Sequence, residues 1–169
     1  MEKNKKKKEF VKIKDWYTDK IIFESSKETI KEAVLEAIEK KIVLTGADLT
    51  GAVLTRADLT GAVLTRADLT RAVLTRAVLT GADLTDADLT DAVLTRADLT
   101  DAVLTRADLT DAVLTGAVLT RADLTGADLT GADLTGAYYW ATNFKYCKVT
   151  KKTKEQILEI MKLVEVKED

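Results

Sequence analysis

Histidine and proline are missing from this 169-residue chain, and cysteine occurs once, as Cys147. Without histidine there is no Ser-His-Asp or Cys-His arrangement, no imidazole metal ligand, and no side chain whose ordinary pKa lies near neutrality. A single cysteine excludes an internal disulfide and a cysteine-rich metal site. Aromatic residues make up only 5% of the chain although 46% is hydrophobic, so a core has to be assembled from Ala, Leu and Val used many times over. No segment reaches the roughly 18 apolar residues of a membrane span, and the N-terminus lacks the apolar stretch of a signal peptide. A soluble, cytoplasmic chain that makes no membrane contact is the expectation.

The chain's main feature is repetition. From Leu44 the sequence recurs every five residues, as in Gly46-Ala47-Asp48-Leu49-Thr50 and Gly51-Ala52-Val53-Leu54-Thr55. Leu recurs from 44 to 134, Thr follows it each time, and Ala stands two residues before the centre from 47 to 137, each over nineteen consecutive units. A helix turning about 100° per residue would carry successive leucines around its axis by about 140°, leaving no apolar stripe. A strand of period two would place alternate leucines on opposite faces. A short extended piece followed by a corner makes every unit equivalent, with the central Leu and the Ala two before it pointing inward. Four corners then close a coil of twenty residues.

The runs A-D-L-T-G and A-V-L-T-R resemble the A-(D/N)-L-x-x signature of pentapeptide repeat proteins, over about residues 42 to 151. The resemblance implies an all-β solenoid, a right-handed quadrilateral β-helix with an N-terminal β-hairpin and helix cap and a C-terminal helix cap. The predicted organisation is a Lys-rich tail at 1–9, a hairpin and capping helix at 10–41, the repeat at 42–151 and a capping helix at 152–169. The repeat is more uniform than in natural family members, since only Asp or Val precedes the centre and only Gly, Arg or Asp fills most fifth positions. That uniformity fits a consensus or engineered sequence, with a very recent tandem expansion as the alternative.

An end coil exposes an apolar cross-section and unpaired strand edges, so covers are expected. Phe10–Lys14 and Ile21–Glu24 read as strands around a turn near Thr18-Asp19. Ser25 to Glu28 reads as a capping box before the stripe Ile30, Ala33, Val34, Ala37 and Ile38. At the other end a helix is expected from about Lys154, with Thr153 as N-cap. Its many apolar residues, Ile157 to Val164, exceed one narrow stripe and leave room for a C-terminal homodimer.

Every twentieth residue shares a face, with neighbours about 4.8 Å apart. The core ladder takes Leu49, Leu69, Leu89, Leu109 and Leu129 with Ala47, Ala67, Ala87, Ala107 and Ala127. Outside it, Asp48, Asp68, Asp88, Asp108 and Asp128 form an acidic face with Asp91 and Asp111 at its corners, and Val53, Val73, Val93 and Val113 form a Val ladder. Like charges at that spacing repel by roughly 1 kcal/mol even in bulk water. The plain reading is that each Asp accepts hydrogen bonds from nearby backbone N–H groups. The resemblance to quinolone-resistance members implies an alternative, a DNA-mimic face whose partner is DNA gyrase or topoisomerase IV, a type II topoisomerase. Against it, Arg66, Asp86 and Arg106 alternate in one corner column, and Arg56, Arg76 and Arg96 fill another. A second alternative is an ice-binding Val and Thr face. Neither metal, cofactor, catalytic residue nor direct nucleic-acid binding is expected, and Lys5–Lys8 and Cys147 read as a solvated tail and a core thiol. The leading expectation is a non-enzymatic structural repeat scaffold.

Overall fold

The computed structural model describes residues 10–165, with side chains through residue 159. The predicted Lys-rich tail lies outside that description, as do the side chains of the apolar residues beyond Glu159. Three elements precede the repeat: β1 (Val11–Lys14), β2 (Ile21–Ser25) and α1 (Ile30–Glu39). The two strands pair antiparallel with Val11 opposite Ser25. Asp15 closes the turn by accepting the N–H groups of Tyr17 and Thr18.

From Ala47 onward the chain coils. Parallel bridges join Asp48 to Asp68, Val53 to Val73, Asp58 to Val78 and Val63 to Asp83, so residues twenty apart are neighbours on each of four sides. The series runs on to Asp123 opposite Asn143, and β3 (Asp128–Leu129) pairs parallel with β4 (Lys148–Val149). α2 (Lys151–Glu165) follows.

The reason five residues suffice for one side is visible in the unit Asp86 to Thr90. Asp88 N–H donates back to Ala67 O at 3.0 Å, while the N–H groups of Leu89 and Asp86 donate forward to Asp108 O at 2.7 Å and Thr105 O at 3.0 Å. Ala87 N–H closes the corner onto Leu84 O at 3.0 Å. Leu84-Thr85-Asp86-Ala87 is thus a four-residue turn with positive φ only at its third residue, Asp86 (57°), which defines type II. Every fifth position from Gly46 to Tyr146 has this left-handed backbone, and at seven of them the residue is arginine. Glycine fits such a corner without cost, whereas an L side chain there is strained by about 1 kcal/mol or more. The axial hydrogen bonds and the stacked core offset that strain.

The core is a column of small aliphatics. All leucines from Leu44 to Leu134 are at most 1% exposed, and the alanines between them at most 5%. Tyr139 and Phe144 then take the inward position and meet edge to face at 5.5 Å, widening the tube as it ends.

Two details of the caps differ from the sequence expectation. The capping box belongs to Thr29 and Glu32, not to Ser25 and Glu28: Thr29 Oγ1 accepts Glu32 N–H, and Glu32 accepts Thr29 N–H. Thr29 directly precedes the periodic apolar run, whereas Ser25 ends β2 and is buried, donating its hydroxyl to Glu36. At the other end the helix begins at Lys151, and Thr150 rather than Thr153 is the capping residue, accepting Thr153 N–H at 3.2 Å. Thr153 is instead 1% exposed and turned onto the last coil.

Candidate functional site

In each unit of the inner coils the backbone pairs four of the five N–H groups, leaving that of the Thr. The Asp before the centre supplies the missing acceptor through its own side chain. Thr90 N–H donates to Asp88 Oδ1 at 2.9 Å, and the same bond recurs at Asp48, Asp58, Asp68, Asp83, Asp98, Asp108, Asp123, Asp128 and Asp133. This is an Asx turn, the carboxylate bonding its own backbone two residues on. Asn143 does the same for Lys145 N–H at 3.0 Å. A Val side chain has no acceptor to offer in that place.

The bridges bring Asp48, Asp68, Asp88, Asp108 and Asp128 into one continuous column. Its last member is neutralised by Lys148, whose Nζ lies 3.0 Å from Asp128 Oδ2. Thr130 and Lys148 together hold the Asp128 carboxyl below its ordinary range against the opposing effect of burial. Asp91 and Asp111 do not join the column. Asp91 faces Arg71 at 3.8 Å across the corner, and the Asp111 carboxylate lies over Gly131, where a Cβ would collide with it. Elsewhere the corners carry ladders of opposite charge. Arg106 forms two bonds to Asp86 at 2.7 and 2.6 Å, and Arg121 two to Asp101 at 2.7 and 2.5 Å. Each guanidinium lowers the pKa of its partner carboxyl. The twenty-residue spacing of these pairs was readable in the sequence, as was the continuation of the Asp column to Lys148.

Val53, Val73, Val93 and Val113 form the neighbouring column, which ends at Asp133. Val53 is 58% exposed and the others are half-buried. Leu49, Leu69, Leu89, Leu109 and Leu129, with Ala47, Ala67, Ala87, Ala107 and Ala127, stand beneath the Asp column. Cys147 takes the inward alanine position, its Sγ donating to Leu124 O at 2.9 Å, and burial pushes its thiol up to about 11. A thiol held protonated this firmly is a poor nucleophile. Among the described residues no group of three His, Cys, Asp or Glu is placed to hold a metal ion, and no helix is long and apolar enough to cross a membrane.

The open ends of the coil are closed by side chains and by the hairpin. Lys14 O accepts Asp48 N–H at 2.7 Å and Trp16 N–H donates to Gly46 O at 2.9 Å. The residues after β1 thereby add an antiparallel strand to the acidic side. On another side Lys31 Nζ donates to Thr55 O at 2.6 Å. At the far end Thr153 Oγ1 donates to Ala132 O at 3.3 Å, and Gln156 Oε1 accepts Leu134 N–H at 3.4 Å. These two side chains of α2 substitute for the backbone of a further coil.

The pentapeptide repeats family model matches residues 41–76, 57–96, 72–111 and 97–136. The chain belongs to the pentapeptide repeat family. Its structure resembles a pentapeptide repeat protein of the Arabidopsis thaliana thylakoid lumen, at 32% identity and a TM-score of 0.60, over 67% of this chain and 75% of that one. HetL of Nostoc sp. PCC 7120, described as involved in heterocyst differentiation regulation, is 36% identical over 62% of this chain and 52% of its own, with a TM-score of 0.41. Rfr23 of Cyanothece 51142 is 34% identical over 52% of this chain and 63% of its own, with a TM-score of 0.43. The sequence matches no curated protein at a significant level. Membership makes the β-helical solenoid the common architecture of this chain and its relatives.

Proposed function

We propose that this pentapeptide repeat chain is a non-catalytic structural scaffold of consensus type, a right-handed quadrilateral β-helix closed by a hairpin and helix at one end and a helix at the other. The observation that carries the reading is that all ten aspartates preceding a centre are engaged with the Thr N–H two residues on. Each carboxylate completes the hydrogen bonding of its own unit, so a structural role accounts for its presence. The side chains most suggestive of a site are in this reading parts of the frame.

The gyrase-directed alternative draws on the same Asp column as a mimic of nucleic-acid phosphates. Arg66 and Arg106 flank that column in one corner and Arg71 in the other, which disrupts a continuous acidic surface. A supercoiling assay with DNA gyrase and a relaxation or decatenation assay with topoisomerase IV separate the readings. The scaffold reading expects no inhibition and no protection from quinolones at micromolar protein. Inhibition that is lost on replacing Asp68, Asp88 and Asp108 with Asn would overturn it.

A further inference from the structure

The corner column Arg56, Arg76 and Arg96 differs from the other three. Each of those carries both Arg and Asp and makes an ion pair along the axis, at Arg71–Asp91, Arg106–Asp86 and Arg121–Asp101. Arg56, Arg76 and Arg96 are exposed, and none forms an ion pair among the described residues. Their backbones are held in axial register by Arg56 N–H to Thr75 O, Arg76 N–H to Thr95 O and Arg96 N–H to Thr115 O, at 2.9 to 3.0 Å. The Val column borders them on one side, without charge from Val53 to Val113. Lys31, anchored on Thr55 O, lies at the N-terminal end of the same corner. On the acidic side of the tube, Asp68, Asp88 and Asp108 repeat at the same coil spacing, with Asp91 and Asp111 at the adjoining corner; of the arginines that flank this face, Arg71 is paired with Asp91 and Arg106 with Asp86, and Arg66 stands at its N-terminal end.

We propose that the Arg56–Arg76–Arg96 column is a docking strip for a second copy of this chain, whose Asp68–Asp88–Asp108 face it meets side by side. Both columns inherit one pitch from the coil, about 4.8 Å, so aligning one pair aligns all three. In each Asx turn the threonine N–H takes Oδ1, and at Asp68, Asp88 and Asp108 no ion pair occupies the second oxygen among the described residues. The contact joins two different surfaces, so a pair retains one unused strip on one copy and one unused face on the other, and association is open-ended. Side-by-side tubes this short bury little area, which makes the association weak and dependent on electrostatics.

The test uses the full chain and two variants. Arg56→Gly/Arg76→Gly/Arg96→Gly removes the strip while keeping the corner, since glycine already occupies this column at Gly116 and Gly136. Asp68→Asn/Asp88→Asn/Asp108→Asn removes the charge while keeping the Asx acceptor, as Asn143 demonstrates. In sedimentation velocity at high micromolar protein, the parent chain should self-associate at about 20 mM salt and roughly tenfold more weakly at about 500 mM. Each variant alone should be monomeric. Mixed, they should form a one-to-one complex that grows no further, because the first keeps only the face and the second only the strip. A monomeric parent at low salt overturns the proposal, as does association that persists in either variant alone or fails to return on mixing. Retention of a single-stranded oligonucleotide by a monomeric parent through these arginines would overturn it in favour of a polyanion site.

Discussion

The Asp column and the Val column are built on one backbone, five residues apart, over equivalent Leu and Ala ladders of one core. In one, an acceptor on the side chain completes the hydrogen bonding of the unit. In the other, a β-branched apolar side chain stacks on its equivalents at the strand spacing. The strands pair alike on both sides, with Leu89 N–H at 2.7 Å from Asp108 O and Leu94 N–H at 2.8 Å from Val113 O. The inward residues therefore hold the coil, and the residue before the centre adds a local contribution that the fold accepts in either chemistry. Two other sides mix the two, as in Asp58, Val78 and Asp98, which is what independent units allow.

The largest effect should come from breaking what the columns share. Leu89→Ala and Leu94→Ala, beneath Asp and Val respectively, should each cost about 2 to 5 kcal/mol in denaturant unfolding. The two should agree within about 1 kcal/mol; a larger gap would mean that the sides do not share one core. Thr153→Val should cost about 1 to 3 kcal/mol by leaving the Ala132 carbonyl without its buried donor. Native-state hydrogen exchange should place that loss in the last coil, since stacked repeats couple mainly to their neighbours. Asp88→Ala should cost about 1 kcal/mol and Asp88→Asn less than about 0.5, because only the former removes the Asx acceptor. Equal losses in the two variants would indicate that charge rather than hydrogen bonding is what the position supplies.

The pH profile sharpens the comparison further. Asp58 is held low by Thr60, Asp128 by Thr130, Asp133 by Thr135, Asp86 by Arg106 and Asp101 by Arg121. A carboxyl with a depressed native pKa stabilises the fold fully above its ordinary value of about 4, and that contribution is lost as pH falls through the native value. Stability should be flat between about pH 5 and 8, where no histidine titrates, and should decline below about pH 4. A midpoint that rises on acidification would show that repulsion within the Asp column outweighs these bonds.

Much of the tube was legible because a period of five suits neither a helix nor a strand, so the Leu and Ala positions had one consistent placement. The corners were less legible. Gly46, Gly51 and Gly61 signal a left-handed residue, but arginine at 56, 66, 71 and 76 argues against one, and only the cooperative axial ladder explains why both are accepted. The caps were misplaced by local ambiguity. The sequence pattern places the capping box at Ser25–Glu28 and the second N-cap at Thr153, where the structure uses Thr29–Glu32 and Thr150. Tertiary contact decided each case, drawing Ser25 to Glu36 and Thr153 to the edge of the last coil. The acidic face was visible as a column, but its partition was not. Asp128 ends on Lys148 and Asp91 turns to Arg71; the twenty-residue offset makes these residues neighbours, but which side chains reach one another depends on the built corner.

The aspartates before the centre serve the fold as hydrogen-bond acceptors, and their charge along the unpaired part of the column is dispensable to it. The unfolding midpoint at low salt of a chain carrying Asn at positions 48, 68, 88 and 108 together, with Asp128 left to its Lys148 partner, tests this most directly. The midpoint should equal or exceed that of the parent chain, since every Asx bond is kept and the repulsion along the column is removed. A midpoint clearly below the parent's would contradict it and show that the carboxylate charge itself holds the coil together.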